Sequence, residues 1–351
     1  MVATPLIEDR QIFWVWRPNP YHNGILCSTV GVKVAKPLKF RLIIFCSHST
    51  MSETILLEPD TLWHKVRCQT QHALLCGALQ PILTEYEIIE DAEIPFLVRI
   101  VKNLARKDAA KQAEVKKVKT DEKPFNPFLP YDKDLFVSNI SDSHLCLLNK
   151  FNVVDHHLLI VTREYEDQDD WLTQSDFSAL GVCLAQIDGL GFYNGGVLAG
   201  SSQPHKHLQL IPFPFLPSIR LPIDPVIATV QYNRDQIGMI PSFEFIHAIV
   251  PLQPDWVQSP VEFAPTLLEI YYKLLKTVQY EINSPKQTGD YNLLITRDWM
   301  MIIPRNRESF LSIGVNSVGF AGALLVRNAE QLQLLKEIRP LNLLKNVAKL
   351  K

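Results

Sequence analysis

Runs of alternating or continuous apolar residues, each closed by turn formers, recur along most of the chain beyond residue 80. Tyr86 to Ile89, Phe96 to Val101, Leu135 to Ile140, Cys146 to Lys150 and Leu158 to Thr162 are predicted strands, being short, apolar and bounded by polar clusters. Tyr193 to Leu198, residues 205 to 213 and Phe243 to Val250 read the same way, and Asn292 to Ile303 reads as a hairpin turning near Arg297-Asp298. Helical spacing appears in Leu62 to Ala78, which stops near Gly77 and Pro81, and in the long amphipathic stretch Val261 to Ile282. Thr173 and Asp176 form a capping box for a third helix ending around Gly189, since each side chain can reach the other's backbone N–H. Successive strands with short connections favour an antiparallel sheet with helices on one side, an α+β fold rather than a doubly wound parallel one.

The chain divides into three portions at its composition shifts. Residues 1–50 carry Trp14, Trp16, Pro18, Pro20 and His22 ahead of short apolar pieces and show no clear helical or strand pattern; the expectation is a poorly ordered extension, with Met51 as the native start. Residues 51–215 hold the first group of strands. The Pro-rich passage Phe213 to Pro225 leads into residues 216–351, expected to pack over the sheet as a second α+β portion. Arg106 to Lys123 reads as a solvated, Lys-rich loop.

Composition excludes several classes. In 351 residues the acids nearly balance the bases, for a formal net charge of −2, and no alternation of aromatic and basic residues suggests a nucleic-acid platform. No apolar run reaches the roughly 18 residues of a membrane span. Six cysteines without framework spacing point to reduced thiols and a cytoplasmic location. No Cys-x-x-Cys or His-x-x-x-His occurs, so no metal site is expected; a zinc site would have to be assembled from scattered ligands. No repeat or coiled-coil seam decides the oligomeric state.

The candidate chemistry lies in Gly200-Ser201-Ser202-Gln203-Pro204-His205-Lys206-His207-Leu208-Gln209. Residues two apart on a strand share a face, so His205, His207 and Gln209 would project together. A neutral imidazole with one nitrogen donating to a fixed acceptor keeps a lone pair for attack on phosphorus. A carboxamide and the small-residue loop before it can donate to phosphoryl oxygens. On spacing alone, half a metal site or two ordinary surface histidines serve equally well.

Three blocks, in order, resemble one family. Gly191 to Gly196 with Ala199 to Gln209 is similar to the signature of the diadenosine tetraphosphate phosphorylases, or ATP adenylyltransferases, of the histidine-triad superfamily. Leu147 to Val154 with His157 to Arg163 resembles that family's preceding strand pair, and Tyr291 to Met301 with Pro304-Arg305 its carboxy-terminal hairpin. Gln209 stands where the superfamily's hydrolases carry a third His, and this marks the transferase branch; Lys206 stands where uridylyltransferases have Pro.

The resemblance implies a histidine-triad-like antiparallel sheet, its nucleotide pocket completed by the carboxy-terminal portion. It makes His207 the nucleophile, His205 its support and Gln209 the grip on the transferred phosphoryl group. Asn194, Gly200, Ser201, Ser202 and Gln203 match the phosphate loop, Asn149 and Lys150 the nucleotide pocket, and Lys107 a basic phosphate contact. Thr296, Met301 and Arg305 match carboxy-terminal contacts to far phosphates or the second nucleoside, although Met301 suits a core equally well, and a lone strand His such as His157 suits a hydrogen bond within the core. The implied reaction is reversible phosphorolysis of diadenosine tetraphosphate to ATP and ADP through an adenylyl-histidine, with a divalent cation of the magnesium type on the substrate phosphates. The alternatives are a dinucleoside polyphosphate hydrolase and a non-catalytic dinucleotide-binding protein.

Overall fold

The computed structural model describes residues 2–8, 11–17, 53–101 and 126–351. It falls into two units, Met1–Met51 and Ser52–Lys351. In the first, β1 (Val2–Glu8) and β2 (Gln11–Arg17) pair as an antiparallel hairpin. That corrects the reading of no strand pattern there: Ile12, Phe13, Trp14, Val15 and Trp16 are β-branched or aromatic, the residue types that favour extended chain.

The second unit is built on a ten-stranded sheet. In chain order its strands are β5 (Phe136–Asn139), β6 (His144–Leu148), β7 (Leu158–Thr162), β8 (Gly189–Gly195), β9 (His207–Pro212), β10 (Gln231–Tyr232), β11 (Gly238–Met239), β12 (Ala248–Pro251), β13 (Tyr291–Ile295) and β14 (Trp299–Pro304). Across the sheet they run β10-β11-β12-β14-β13-β8-β9-β7-β6-β5, with every pairing antiparallel. The carboxy-terminal portion covers the first sheet, with Leu267 and Leu274 in the core that holds Leu158 and Leu208 and with Phe320 and Leu344 in the core that holds Leu190 and Phe192, and it also extends that sheet. It continues that sheet through β8 and β13, from Tyr291↔Gly195 to Ile295↔Gly191. Both strands are buried along their whole length, and only a sheet interior covers both faces of such a strand. Phe243 to Val250 is extended over a shorter span than predicted, since only Ala248–Pro251 pairs.

One face of the sheet is covered by helices. α1 (Leu62–Cys76) ends on Gly77 in the left-handed conformation, as the sequence predicts. α2 (Gln174–Gln186) starts on the Thr173/Asp176 capping box, with both reciprocal bonds formed, and α3 (Pro260–Thr277) packs beside it. Alternate strand residues Leu158, Ile160, Leu208, Leu210, Leu293 and Ile295 point into this core. A second core on the opposite face takes Phe192, Leu294, Met301 and Ile303. It is closed by β15 (Ala323–Val326), which pairs in parallel with β4 (Ile94–Val101), itself antiparallel to β3 (Thr84–Asp91). Among the described residues no helix is long and apolar enough to cross a membrane.

Candidate active site

His207 opens β9 and is buried. The pairing Val161↔His207 and Leu159↔Gln209 places both polar side chains on one face, because cross-strand partners share a face. Leu145, Leu147, Leu159 and Val161 form a small apolar floor there with Phe128. The Phe128 ring stands 5.3 Å from that of His207 and 5.5 Å from that of His205, so the two imidazoles lie under one aromatic cover.

The tautomers follow from the partners. His207 Nδ1 is 2.8 Å from the carbonyl oxygen of His205; a carbonyl only accepts, so Nδ1 carries the proton and Nε2 keeps its lone pair. Burial pushes His207 down to about 4, which keeps the ring neutral at physiological pH. His205 lies just outside β9, bridged to Asp167. Its Nε2 faces the carbonyl oxygens of Thr162 (2.9 Å) and Glu164 (3.1 Å), and its Nδ1 accepts from Asn126 Nδ2 at 3.0 Å. Both nitrogens of His205 are committed, and its backbone carbonyl orients His207.

Gln209 is oriented by a chain of hydrogen bonds that crosses three strands. The Phe151 N–H reaches Asn149 Oδ1 (3.4 Å), so Asn149 Nδ2 faces and donates to His157 Nδ1 (3.1 Å). His157 must then carry its proton on Nε2, which donates to Gln209 Oε1 at 2.9 Å. Burial lowers His157 to about 4 and keeps it neutral. The Gln209 amide hydrogens are left to face the substrate side. Asn149, expected in the nucleotide pocket, thus acts through His157. Lys150, half-buried with Nζ 5.8 Å from the Phe151 ring centroid, makes no ion pair among the described residues.

Gln168 was missed in the sequence and is central here. The β8–β9 ladder stops at Phe192↔Gln209; two residues further, the same register would set Asn194 opposite His207. Into that gap comes the buried carboxamide of Gln168: Oε1 accepts from the His207 N–H (2.9 Å), and Nε2 donates to the Asn194 carbonyl (2.9 Å). A side chain replaces the missing rungs, and the strands are held open beside His207. The signal lay in Asp167-Gln168-Asp169-Asp170, where a Gln among acids resembles any polar loop.

The loop between the strands forms a tight turn, Val197–Ala199, between Gly196 (φ 99) and Gly200 (φ 91). A Cβ at Gly196 would stand 2.5 Å from the Asp290 carboxylate, so only glycine fits that backbone and that approach. Asp290 Oδ2 accepts the Leu198 N–H at 2.6 Å, and in the expected Gly-Ser-Ser nest the Gly200 and Ser201 N–H groups already donate to the Val197 (2.9 Å) and Gly196 (3.2 Å) carbonyls. Ser202 and Gln203 keep backbone N–H groups without an acceptor among the described residues and border a cavity of about 200 Å³ together with Gln168, Asp169 and Ser201. Asn194 Oδ1 accepts from Asn292 Nδ2 (2.9 Å), Ser317 N (3.0 Å) and Ser317 Oγ (2.7 Å), which ties the loop to the carboxy-terminal portion.

Three carboxy-terminal candidates find partners within the fold. Arg305 is buried, and its five N–H groups go to Asn292 Oδ1 and to the carbonyls of Ala199, Arg307, Val315 and Val347. A guanidinium has five donors, so none remains for phosphate. Met301 lies in the second core opposite Leu294 and Ile249. Thr296 closes the β13–β14 hairpin, its Oγ1 accepting from Asp298 N (3.1 Å) and Trp299 N (3.3 Å). Lys107 lies outside the described residues.

Residues 52–229 match the Ap4A phosphorylase N-terminal domain family, and residues 241–349 match the ATP adenylyltransferase C-terminal domain family. The chain belongs to the Ap4A phosphorylase family. Diadenosine 5',5'''-P1,P4-tetraphosphate phosphorylase 2 of Saccharomyces cerevisiae is 32% identical over 247 residues, covering 62% of this chain and 74% of the relative. Protein APA1 of the same yeast is 30% identical over 206 residues, 52% of this chain and 61% of its own. The crystal structure of yeast Ap4A phosphorylase Apa2 superposes with a TM-score of 0.66 at 26% identity, covering 82% of this chain and 94% of that one; Apa2 in complex with AMP gives 0.66 at 25%, covering 83% and 98%.

Proposed function

We propose that this protein cleaves diadenosine tetraphosphate by phosphorolysis, yielding ATP and ADP through a covalent adenylyl group on His207. The observation that carries the reading is the contact of His207 Nδ1 with the His205 carbonyl, which leaves Nε2 as the one nucleophilic nitrogen. Nε2 attacks the α-phosphorus of one adenylyl end; the N–P bond forms, the P–O bond to the remaining triphosphate breaks, and ATP leaves. The ring becomes cationic on attack, and the His205 carbonyl, still accepting from Nδ1–H, stabilises that charge. An oxygen of inorganic phosphate then attacks the same phosphorus, the N–P bond breaks, and ADP leaves with neutral His207 restored. Each step is an in-line displacement and therefore reversible.

Gln209 donates its amide hydrogens to the equatorial oxygens of the transferred group, and the Ser202 and Gln203 N–H groups receive the adjoining phosphates. Lys150, which makes no ion pair among the described residues, supplies a cation on the nucleotide side. The polyphosphate carries its own divalent cation of the magnesium type; the oxygen donors bordering the cavity, Asp169 and the hydroxyls of Ser201 and Ser202, fit such a hard ion without forming a protein cage. The exposed free thiols Cys68 and Cys76 suit a reducing cytosol.

Chromatography of nucleotides after incubation with diadenosine tetraphosphate and magnesium, with and without inorganic phosphate, tests the reading. Phosphate-dependent ATP and ADP, lost in His207→Ala, is the expected result. ATP with AMP irrespective of phosphate would make the protein a hydrolase, and an intact dinucleotide would make it a binding protein.

A further inference from the structure

Helix α1 carries His64, Cys68, His72 and Cys76 at a constant spacing of four. Residues four apart on a helix are neighbours on one face, so alternating imidazoles and thiols form an oblique stripe, and all four are exposed. At its amino-terminal end, His64 Nε2 and Cys68 Sγ are already 3.6 Å apart, yet no third ligand from another element joins them among the described residues. At the carboxy-terminal end one does. Asp134, in the single turn Lys133–Leu135 before β5, sets Oδ1 2.8 Å from His72 Nε2. One ligand atom each from His72, Cys76 and Asp134 falls within 4.8 Å of the others.

We propose that His72, Cys76 and Asp134 form a surface site for a zinc-class divalent cation. One nitrogen, one sulfur and one carboxylate oxygen suit a borderline-soft ion, and three protein ligands with water in the fourth position make an open tetrahedral site. Metal–ligand bonds of about 2.0–2.3 Å hold tetrahedral ligands about 3.3–3.8 Å apart. The present spread therefore closes by rotation of exposed side chains alone. Two neighbours keep the third ligand in reach: Gln69 Nε2 donates to the Asp134 carbonyl (2.6 Å), and the Asp134 N–H donates to Asp132 Oδ1 (3.0 Å). The bound ion would clip α1 to the turn that leads into β5. The chain has neither Cys-x-x-Cys nor His-x-x-x-His, and the sign of a metal site that its sequence does carry is His-x-x-x-Cys, which occurs twice in α1.

The test is cobalt titration of the metal-stripped full chain, read by the thiolate-to-cobalt charge-transfer band and the visible bands of tetrahedral cobalt, with zinc then competing. One equivalent should bind with both signatures. Cys76→Ser should abolish the charge-transfer band, and Asp134→Asn should weaken binding by about tenfold or more, since even an outer partner of a ligand costs about that much. The double variant His64→Ala/Cys68→Ser should keep both signatures. The proposal is overturned if the wild type shows no charge-transfer band at one equivalent, if the band survives Cys76→Ser, or if it vanishes in the His64/Cys68 variant.

Discussion

His157 Nε2 lies 2.9 Å from Gln209 Oε1, and this contact decides which end of the Gln209 amide meets the substrate. Were the amide reversed, its carbonyl would face phosphoryl oxygens and repel them. His157→Phe should lower kcat by about 10- to 100-fold, the usual cost of losing an orienting partner or one transition-state donor. His157→Gln, whose own amide can donate to Oε1, should recover part of the loss. Steady-state kinetics of the two variants measures both, and equal losses would remove the orienting role.

Burial lowers His207 to about 4, and the proposed reaction needs the neutral ring as nucleophile. Activity should therefore persist below the ordinary imidazole value of 6.5 and fall only as pH approaches 4. Single-turnover adenylylation followed against pH reads this limb directly. An acid limb centred near 6.5 would assign the titration to a group other than a buried His207.

Gln168→Leu removes the acceptor of the His207 N–H and the donor to the Asn194 carbonyl at a buried site. Each stranded group costs about 1–3 kcal/mol. Thermal unfolding should drop accordingly, and kcat should fall more than KM rises, because what moves is the nucleophile. Gln168→Glu retains an acceptor and should keep the His207 contact while losing the one to Asn194.

Next to β9 lies a chain of charged groups, buried at His144, Asp176 and Lys206. His144 Nε2 meets Asp176 Oδ1 at 3.2 Å, Lys206 Nζ meets Asp176 Oδ2 at 3.6 Å and Glu166 Oε2 at 2.6 Å, and Glu53 stands 3.8 Å from His144 Nδ1. Against the burial that opposes its charge, His144 is raised to about 9 by hydrogen bonds to Asp176 and Glu53. Burial works against the Asp176 carboxylate too, but His144 and Lys206 hold it at about 2. The raised group stabilises the fold fully below 6.5, and this is lost as pH rises through 9. The depressed Asp176 stabilises it above 3.8, and this is lost as pH falls toward 2. The buried neutral His207, His157 and His247, each lowered to about 4, erode stability as pH falls from 6.5 to 4, because the unfolded chain binds their protons first. A melting-temperature profile should therefore peak at about pH 7, where the gain from the three lowered histidines and the loss from His144 balance, and decline on both sides. His144→Gln should flatten the alkaline decline, and Asp176→Ala should cost about 3–5 kcal/mol by stranding buried charge.

Arg305→Lys should lower stability by several kcal/mol while leaving KM for the dinucleotide nearly unchanged. Lysine has three donors at one point and cannot span acceptors that lie around a planar fork. Calorimetry beside kinetics separates the two effects; a large rise in KM with an unchanged melting temperature would restore Arg305 as a phosphate contact.

Local patterns reached far in this chain. The capping box at Thr173, the glycine stop of α1, the β13–β14 hairpin and the His-x-His-x-Gln strand are all encoded within a few residues, where hydrogen-bond reach and side-chain period act directly. What tertiary structure alone decided is which partner each polar side chain finds. Arg305 looked suited to phosphate, but five acceptors close in only when β13, the Val197–Ala199 turn and the carboxy-terminal helix Pro340–Val347 converge on it. Asn149 and His157 become Gln209's supports, and Gln168 fills a gap between β8 and β9, because strands distant in sequence lie side by side in the sheet. Desolvation follows the same rule: the burial that keeps His207 neutral belongs to Phe128 and the apolar floor, not to the residues adjoining it in the chain.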